Sequence, residues 1–198
     1  NDLVITTLGG DWGEANNNLK CKVRCIRGTD IPVLNVGIIS NAPTRYIPYK
    51  NCETKHLIPN DLVVEISGGS PTQSTGRIAI MTQRTLNKTS EPFICSNFCR
   101  ILRIKPSYIS YFLQLWKYLY SCGRMFCYEN SSTGLKNFDL EGFLQEENIF
   151  IPDEITAQEF NSTIFPIIEQ QQVNGDEIEA LTELSNNILS TRLSKLSR

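Results

Sequence analysis

The order of apolar and polar positions predicts a strand-rich body followed by a helical tail. Residues 3–8 read as a short strand that ends in the turn cluster Gly9, Gly10, Asp11, Trp12 and Gly13. In residues 19–27, Cys21, Val23 and Cys25 alternate with Lys22 and Arg24, the pattern of a half-buried strand with a basic outer face. Residues 32–58 are loop-rich, with Pro43 and Pro48. Residues 60–81 then place two apolar runs, Leu62 to Ile66 and Ile78 to Met81, on either side of a Gly/Ser/Thr/Pro/Gln loop, which predicts a buried hairpin with a polar tip. Strand character returns at 93–104. After Pro106, Ile109, Phe112, Leu113, Trp116, Leu119 and Tyr120 recur at helical spacing, and Gly123 stands where a C-terminal cap belongs. This aromatic stripe is expected to be core.

Residues 130–138 read as a second polar loop, 139–143 as a helical turn, and 148–151 as a last strand stopped by Pro152. Beyond it, Thr156 and Glu159 make a capping-box pattern, and Phe160, Ile164, Ile167 and Ile168 mark a helix face that Pro166 should kink or restart. Gly175 weakens the next turn, but Ile178, Leu181, Leu184, Ile188, Leu189, Leu193 and Leu196 carry the period to the end. Such a tail must pack on something, and an antiparallel or intermolecular helix pair is expected.

Composition narrows the class. With 198 residues, 40% hydrophobic and 20% charged, the chain has the makeup of a globular protein. No apolar run reaches the roughly 18 residues of a membrane span. The absence of an initiator Met and of a signal-type segment suggests an excised or processed piece of a cytosolic protein. The net charge of −2 is unevenly spread: residues 1–148 hold 16 Lys and Arg against 13 Asp and Glu, residues 149–198 hold 3 against 8. A mildly basic body therefore carries an acidic tail. Seven cysteines (21, 25, 52, 95, 99, 122, 127) cannot all pair, and their spacings read as buried thiols rather than zinc knuckles.

The catalytic motifs fail on inspection. The glycine loop lacks the spacing and the Lys-Ser/Thr of a phosphate-binding loop, and neither Gly-rich stretch makes the dinucleotide fingerprint. His56 is the single histidine and lies in a polar loop with no accompanying motif. Asp61 and Glu65 are followed by Ser67, where an acidic-pair nuclease needs Lys. No self-contained active site, cofactor site or metal site is expected.

What remains is an ordered set of segments: VRCIRGTDI (23–31), LIPNDLVVEISGGSPTQSTGRIAI (57–80), SNFCRILRI (96–104), the aromatic helix, SSTGLKNF (131–138) and IFIP (149–152), followed by a helix containing Gln158 and a leucine-rich helix. Together these resemble the target recognition domain and helical spacer of type I restriction-modification specificity subunits. The resemblance implies an α+β fold, with a globular recognition domain over 1–152 and a coiled-coil-type spacer or assembly region over 153–198. It further implies a non-catalytic cytoplasmic protein that reads half of a split site in double-stranded DNA and docks methyltransferase and restriction/translocase subunits. With one domain and one spacer, the chain would be a half-subunit that dimerises through its C-terminal helices, or a fragment. Two other readings stand beside it: the recognition module of a fused methyltransferase-endonuclease, and a helical interaction module that does not read DNA.

The residues fit phosphate and base contact. Lys22, Arg24, Arg27, Arg45, Lys50, Arg77 and Lys136 are candidates for phosphates, with Ser70, Thr72, Gln73, Ser132 and Thr133 as neutral donors. Gln73 and Arg77 are the first candidates for base reading, with Arg45 behind them. Ile178, Leu181, Leu184, Ile188 and Leu193 are the candidate partner-binding face.

Overall fold

A computed structural model describes residues 2–17, 19–68, 72–132 and 134–196, the side chains of 131, 132 and 193–196 excepted. Three small sheets and six α-helices build an α+β fold among these residues. The central sheet is antiparallel in the order β1 (Val4–Gly9), β8 (Cys99–Ile104), β4 (Leu62–Glu65), β6 (Ile78–Ile80). Strands β4 and β6 pair as the expected hairpin, Leu62 opposite Ile80 and Val64 opposite Ile78. Both strands are buried on both faces, which is why they read as continuous apolar runs rather than alternating ones.

A mixed sheet, β3 (Thr44–Ile47), β2 (Cys21–Ile26), β7 (Phe93–Cys95), covers one side, with β2 antiparallel to β3 and parallel to β7. The third sheet, β5 (Ser67–Gly68), β10 (Leu135–Phe138), β9 (Glu129–Ser132), turns residues 129–138 into a hairpin where a polar loop was expected. Residues 32–58 likewise hold more order than their composition suggests. They contain the end of α1 (Ile31–Leu34), then β3, then α2 (Tyr49–Lys55), whose last carbonyls at Cys52 and Glu53 meet the His56 ring. Residues 148–151 form no strand.

The hairpin and α4 (Ile109–Ser121) share one core. Ile109, Phe112, Leu113 and Trp116 are buried against Leu62, Val64, Ile78 and Ile80, with Phe138 and Phe143 edge-on to the indole. Gly76 is essential to this junction: its φ of +90° is a left-handed conformation, and its carbonyl accepts the Trp116 indole N–H at 2.7 Å. Gly123, at φ +74°, ends the helix turn as expected. Helix α5 (Leu140–Glu146) is capped by Asp139, which accepts from the Gly142 N–H.

Helix α6 (Glu154–Leu196) runs unbroken through Pro166, so the expected restart there does not occur. Its start is one turn earlier than the capping-box pattern suggested, because Asp153 accepts from both the Thr156 N–H and hydroxyl. The first half of α6 lies on the body. Ala157 and Ile168 are buried, and Gln172 is fully enclosed with its carbonyl accepting from the Thr82 and Thr85 hydroxyls. Asp176 pairs with Arg84 and Lys88, the former in the short helix α3 (Gln83–Leu86). Gly175 is where helix meets loop, since a Cβ there would stand 1.9 Å from the Val36 carbonyl oxygen. From residue 180 to 192 every side chain is exposed.

The cysteines divide. Cys25, Cys95 and Cys99 are buried thiols as expected, but Cys122 and Cys127 are exposed and Cys21 meets Cys52 as a disulfide. Burial pushes the Cys25 and Cys99 thiols up to about 12. No helix among the described residues is long and apolar enough to cross a membrane.

Candidate nucleic-acid interface

Strand β4 carries more than core residues. At its end Glu65 turns toward Arg77, just before β6, and the two side chains make a bidentate ion pair with Nε–Oε2 at 2.7 Å and Nη2–Oε1 at 2.6 Å. The Glu65 carboxylate raises the Arg77 guanidinium further above its ordinary value, against the opposing effect of burial. Arg27, at the end of β2, is held the same way: Nε and Nη2 both donate to Asp30, each at 2.9 Å. Both members of the first pair, and Arg27 of the second, line one cleft of about 670 Å³.

Segments far apart in sequence close that cleft. Trp12 comes from the turn after β1, Thr29 from the 3-10 turn Gly28–Asp30, Ser67 and Gly68 from β5, and Gln73 to Thr75 from the hairpin loop. Asn97 and Phe98 come from the β7–β8 turn, and Leu135 from β10. Phe98 and Trp12 are exposed at 50% and 37%. The Trp12 ring is fixed by Arg45, whose guanidinium carbon lies 4.2 Å from its centroid while Nε and Nη2 donate to the Trp12 and Gly13 carbonyls.

The candidate residues therefore fall into three groups. Arg27, Gln73 and Arg77 come together around the cleft. Arg77 is not at a loop tip: it is partly buried at the base of the hairpin loop, and Gln73 is tied to the Tyr120 phenol. Lys22, Arg24, Arg45 and Lys50 sit on or beside the β2–β3 ribbon. Lys22 is paired with Glu91, Arg24 donates to the Ile39 carbonyl, and Lys50 is exposed at the start of α2. Lys136 belongs to β10, paired with Glu129 and within 3.4 Å of the Gln73 carbonyl.

Thr72 is exposed beside Gln73, and Ser132 ends β9. Ser70 and Thr133 lie outside the described residues. On the tail, Ile178, Leu181, Leu184 and Ile188 are all exposed, and Leu193 lies within α6 with its side chain undescribed.

Most of these cations thus have an acidic partner, which lowers the positive field the sequence count implied. Glu129 anchors the loop side of the cleft. Burial opposes its ionisation, but the Thr75 N–H, the Ser74 and Thr75 hydroxyls and Lys136 together hold its carboxyl below the ordinary value. Sequence reasoning did not find Trp12, Asn97 and Phe98, which contribute through turns. The usable signal was an aromatic residue set among turn formers in GGDWG and SNF.

No protein-family model matches the sequence, and no curated protein matches it. Among solved structures the fold is similar to that in the crystal structure of the type I restriction-modification system S subunit from M. genitalium. The TM-score is 0.58 at 15% identity, over 94% of this chain. The likeness is one of fold. The chain spans 42% of the length of that S subunit.

Proposed function

We propose that this chain is a non-catalytic DNA-recognition module of a type I restriction-modification system, a half-subunit or fragment that reads one half of a split site in the cytoplasm. The observation that carries the reading is the cleft, where Arg27, Gln73 and Arg77 from three separate segments meet two exposed aromatic rings on a fold shared with an S subunit. Arginine, amide and aromatic groups are the side chains that contact phosphate, base edge and base face. Flanking it, Lys22, Arg24, Arg45 and Lys50 on one side and Lys136 on the other would follow the DNA backbone.

Under this reading residues 1–152 form the recognition body and 153–198 the spacer, whose first half is docked and whose second half projects. An extension of about 30 Å follows from the 1.5 Å rise over its last twenty residues. Its exposed stripe of Ile178, Leu181, Leu184 and Ile188 is the surface for methyltransferase subunits or a second copy. Because the body is only mildly basic, tight binding would need the methyltransferase to close around the duplex.

Titrating labelled duplex with and without the methyltransferase subunit at several salt concentrations tests the proposal. Binding that weakens linearly in log–log form as salt rises is expected. Absence of binding with the partner present, or binding indifferent to salt, overturns it.

A further inference from the structure

The two arginines of the cleft are poorly placed to reach into a groove. Arg77 commits Nε and Nη2 to Glu65, and Arg27 commits Nε and Nη2 to Asp30 with Nη2 also donating to the Asn41 carbonyl, which leaves Nη1 as the uncommitted nitrogen of each. The Arg77 side chain is only 18% exposed, and Glu65 beneath it is buried. Arg77 cannot extend toward a base edge that stays stacked in the duplex without stranding a buried carboxylate.

Other residues of the lining have the opposite character. Phe98 presents an exposed ring, and Asn97 beside it an exposed side-chain amide with one donor and one acceptor end. Trp12, held by Arg45, is a second ring in the lining. Proteins that handle a base outside the helix combine a concave pocket, a ring for stacking and fixed polar groups for the Watson–Crick edge. The cleft's volume of about 670 Å³ lies within the range of small-molecule sites.

We propose that this cleft receives one nucleobase swung out of the duplex, stacked on Phe98, with its polar edge read by Asn97 and the pinned Arg77 guanidinium. This rests on the reading that the chain binds duplex DNA, and adds that part of the recognition happens outside the helix.

The test uses three probes: a fully paired duplex of mixed sequence, the same duplex carrying a single extrahelical 2-aminopurine, and free 2-aminopurine nucleotide. A preformed extrahelical base removes the cost of unstacking, so the bulged duplex should bind at least about ten-fold more tightly than the paired one. Its fluorescence should change on binding. Phe98→Ala and Asn97→Ala should each bring the ratio toward one, while Phe98→Trp keeps it, and Tyr118→Ser on the exposed side of α4 leaves it unaltered.

Equal affinity for both duplexes without a fluorescence change overturns the proposal. So does a ratio that persists in Phe98→Ala, or binding of the free nucleotide alone. If the paired duplex binds and the bulge gives no advantage, only this inference falls. If neither duplex binds at low salt with the methyltransferase subunit present, the DNA reading falls with it.

Discussion

The Arg77 guanidinium lies flat along the Glu65 carboxylate, and the pair joins the two strands of the central hairpin at the point where its loop begins. With both side chains largely removed from water, either one alone would be an uncompensated charge. Arg77→Gln and Glu65→Gln should each cost about 3 kcal/mol in urea unfolding, whereas the double variant carrying both should recover more than half of that loss. Additive losses in the double variant would mean that the two residues act separately.

Gly175 is expected to break a general rule. In an exposed helix, Gly→Ala stabilises by about 1 kcal/mol. Here the added methyl group would meet the Val36 carbonyl at 1.9 Å, and backbone cannot swing aside as a flexible side chain can. Gly175→Ala should therefore destabilise, by about 1–3 kcal/mol of overpacking, and should raise amide exchange in the docked half of α6. A more stable variant would show that α6 does not lie on the 31–37 segment.

These two residues also show where the sequence was readable. Glu65 and Arg77 flank apolar runs that announced a hairpin, and β4 and β6 paired as expected because both faces of those strands are covered. Helix α4 was equally legible, since Ile109, Phe112, Leu113 and Trp116 recur at the spacing that one buried face demands. Gly175, by contrast, looked like a weak point in a helix. Its reason is a neighbour 139 positions away in the chain, and no local pattern carries that.

The β9–β10 hairpin was hidden for a similar reason. ENSS and LKNF lack alternation, and their order comes from pairing with Ser67 and Gly68 and from the burial of Phe138. The cleft itself was half legible: its arginines and Gln73 stood out by chemistry, while Trp12 and Phe98 are 86 positions apart and meet only through the folded sheets.

Docking of α6 should depend on acid pH. Burial works against ionisation of Asp176, but Lys88 and Arg84 outweigh it and hold the carboxyl below 3.8. A group whose folded value is lowered contributes fully above the unfolded value and loses that contribution as pH falls through the folded one. The stabilisation should thus be intact from about pH 5 upward, begin to fall near pH 4 and be lost as pH drops through the folded value. Asp176→Asn should remove this step and cost about 1 kcal/mol at neutral pH, a modest figure because the three side chains remain partly exposed. Amide exchange across residues 154–176 against pH is the measurement, and an unchanged acid profile in the variant would count against it.

Thiol reactivity should separate the cysteines. At pH 8, Cys122 and Cys127 should label fast in the folded protein, while Cys25, Cys95 and Cys99, buried and held as thiols, should label only on unfolding. Mass spectrometry of a timed labelling series reads this directly, and rapid labelling of Cys95 would mean that β7 is not enclosed.

The projecting half of α6 gives the sharpest prediction about assembly. At 100° per residue, Phe160, Ile167, Ile178, Leu181 and Leu189 fall within about 80° of one another, with Leu184 and Ile155 further round, all outside the arc where Ala157, Ile168 and Gln172 pack on the body. If two copies of α6 run antiparallel about a two-fold near Gln172, Phe160 lies opposite Leu184, Ile155 opposite Leu189, and Ile167 opposite Ile178. These three pairs are apolar on both sides, while Leu181 falls opposite Thr163. If the chain dimerises in this way, Leu184→Glu should leave it monomeric in sedimentation experiments, since a carboxylate would be buried against Phe160. Adding Phe160→Lys should restore association by placing an ammonium group opposite it, while Ile178→Lys, six residues from Leu184 on the same helix and opposite Ile167 across the interface, should not. Truncation after Asp176 should leave a folded monomer. Truncation at Pro152 should also unfold part of the body, because Ala157, Ile168 and Gln172 leave with the helix. Rescue by both lysines alike would reject this register, and a dimer that survives Leu184→Glu would reject the helix as the assembly surface.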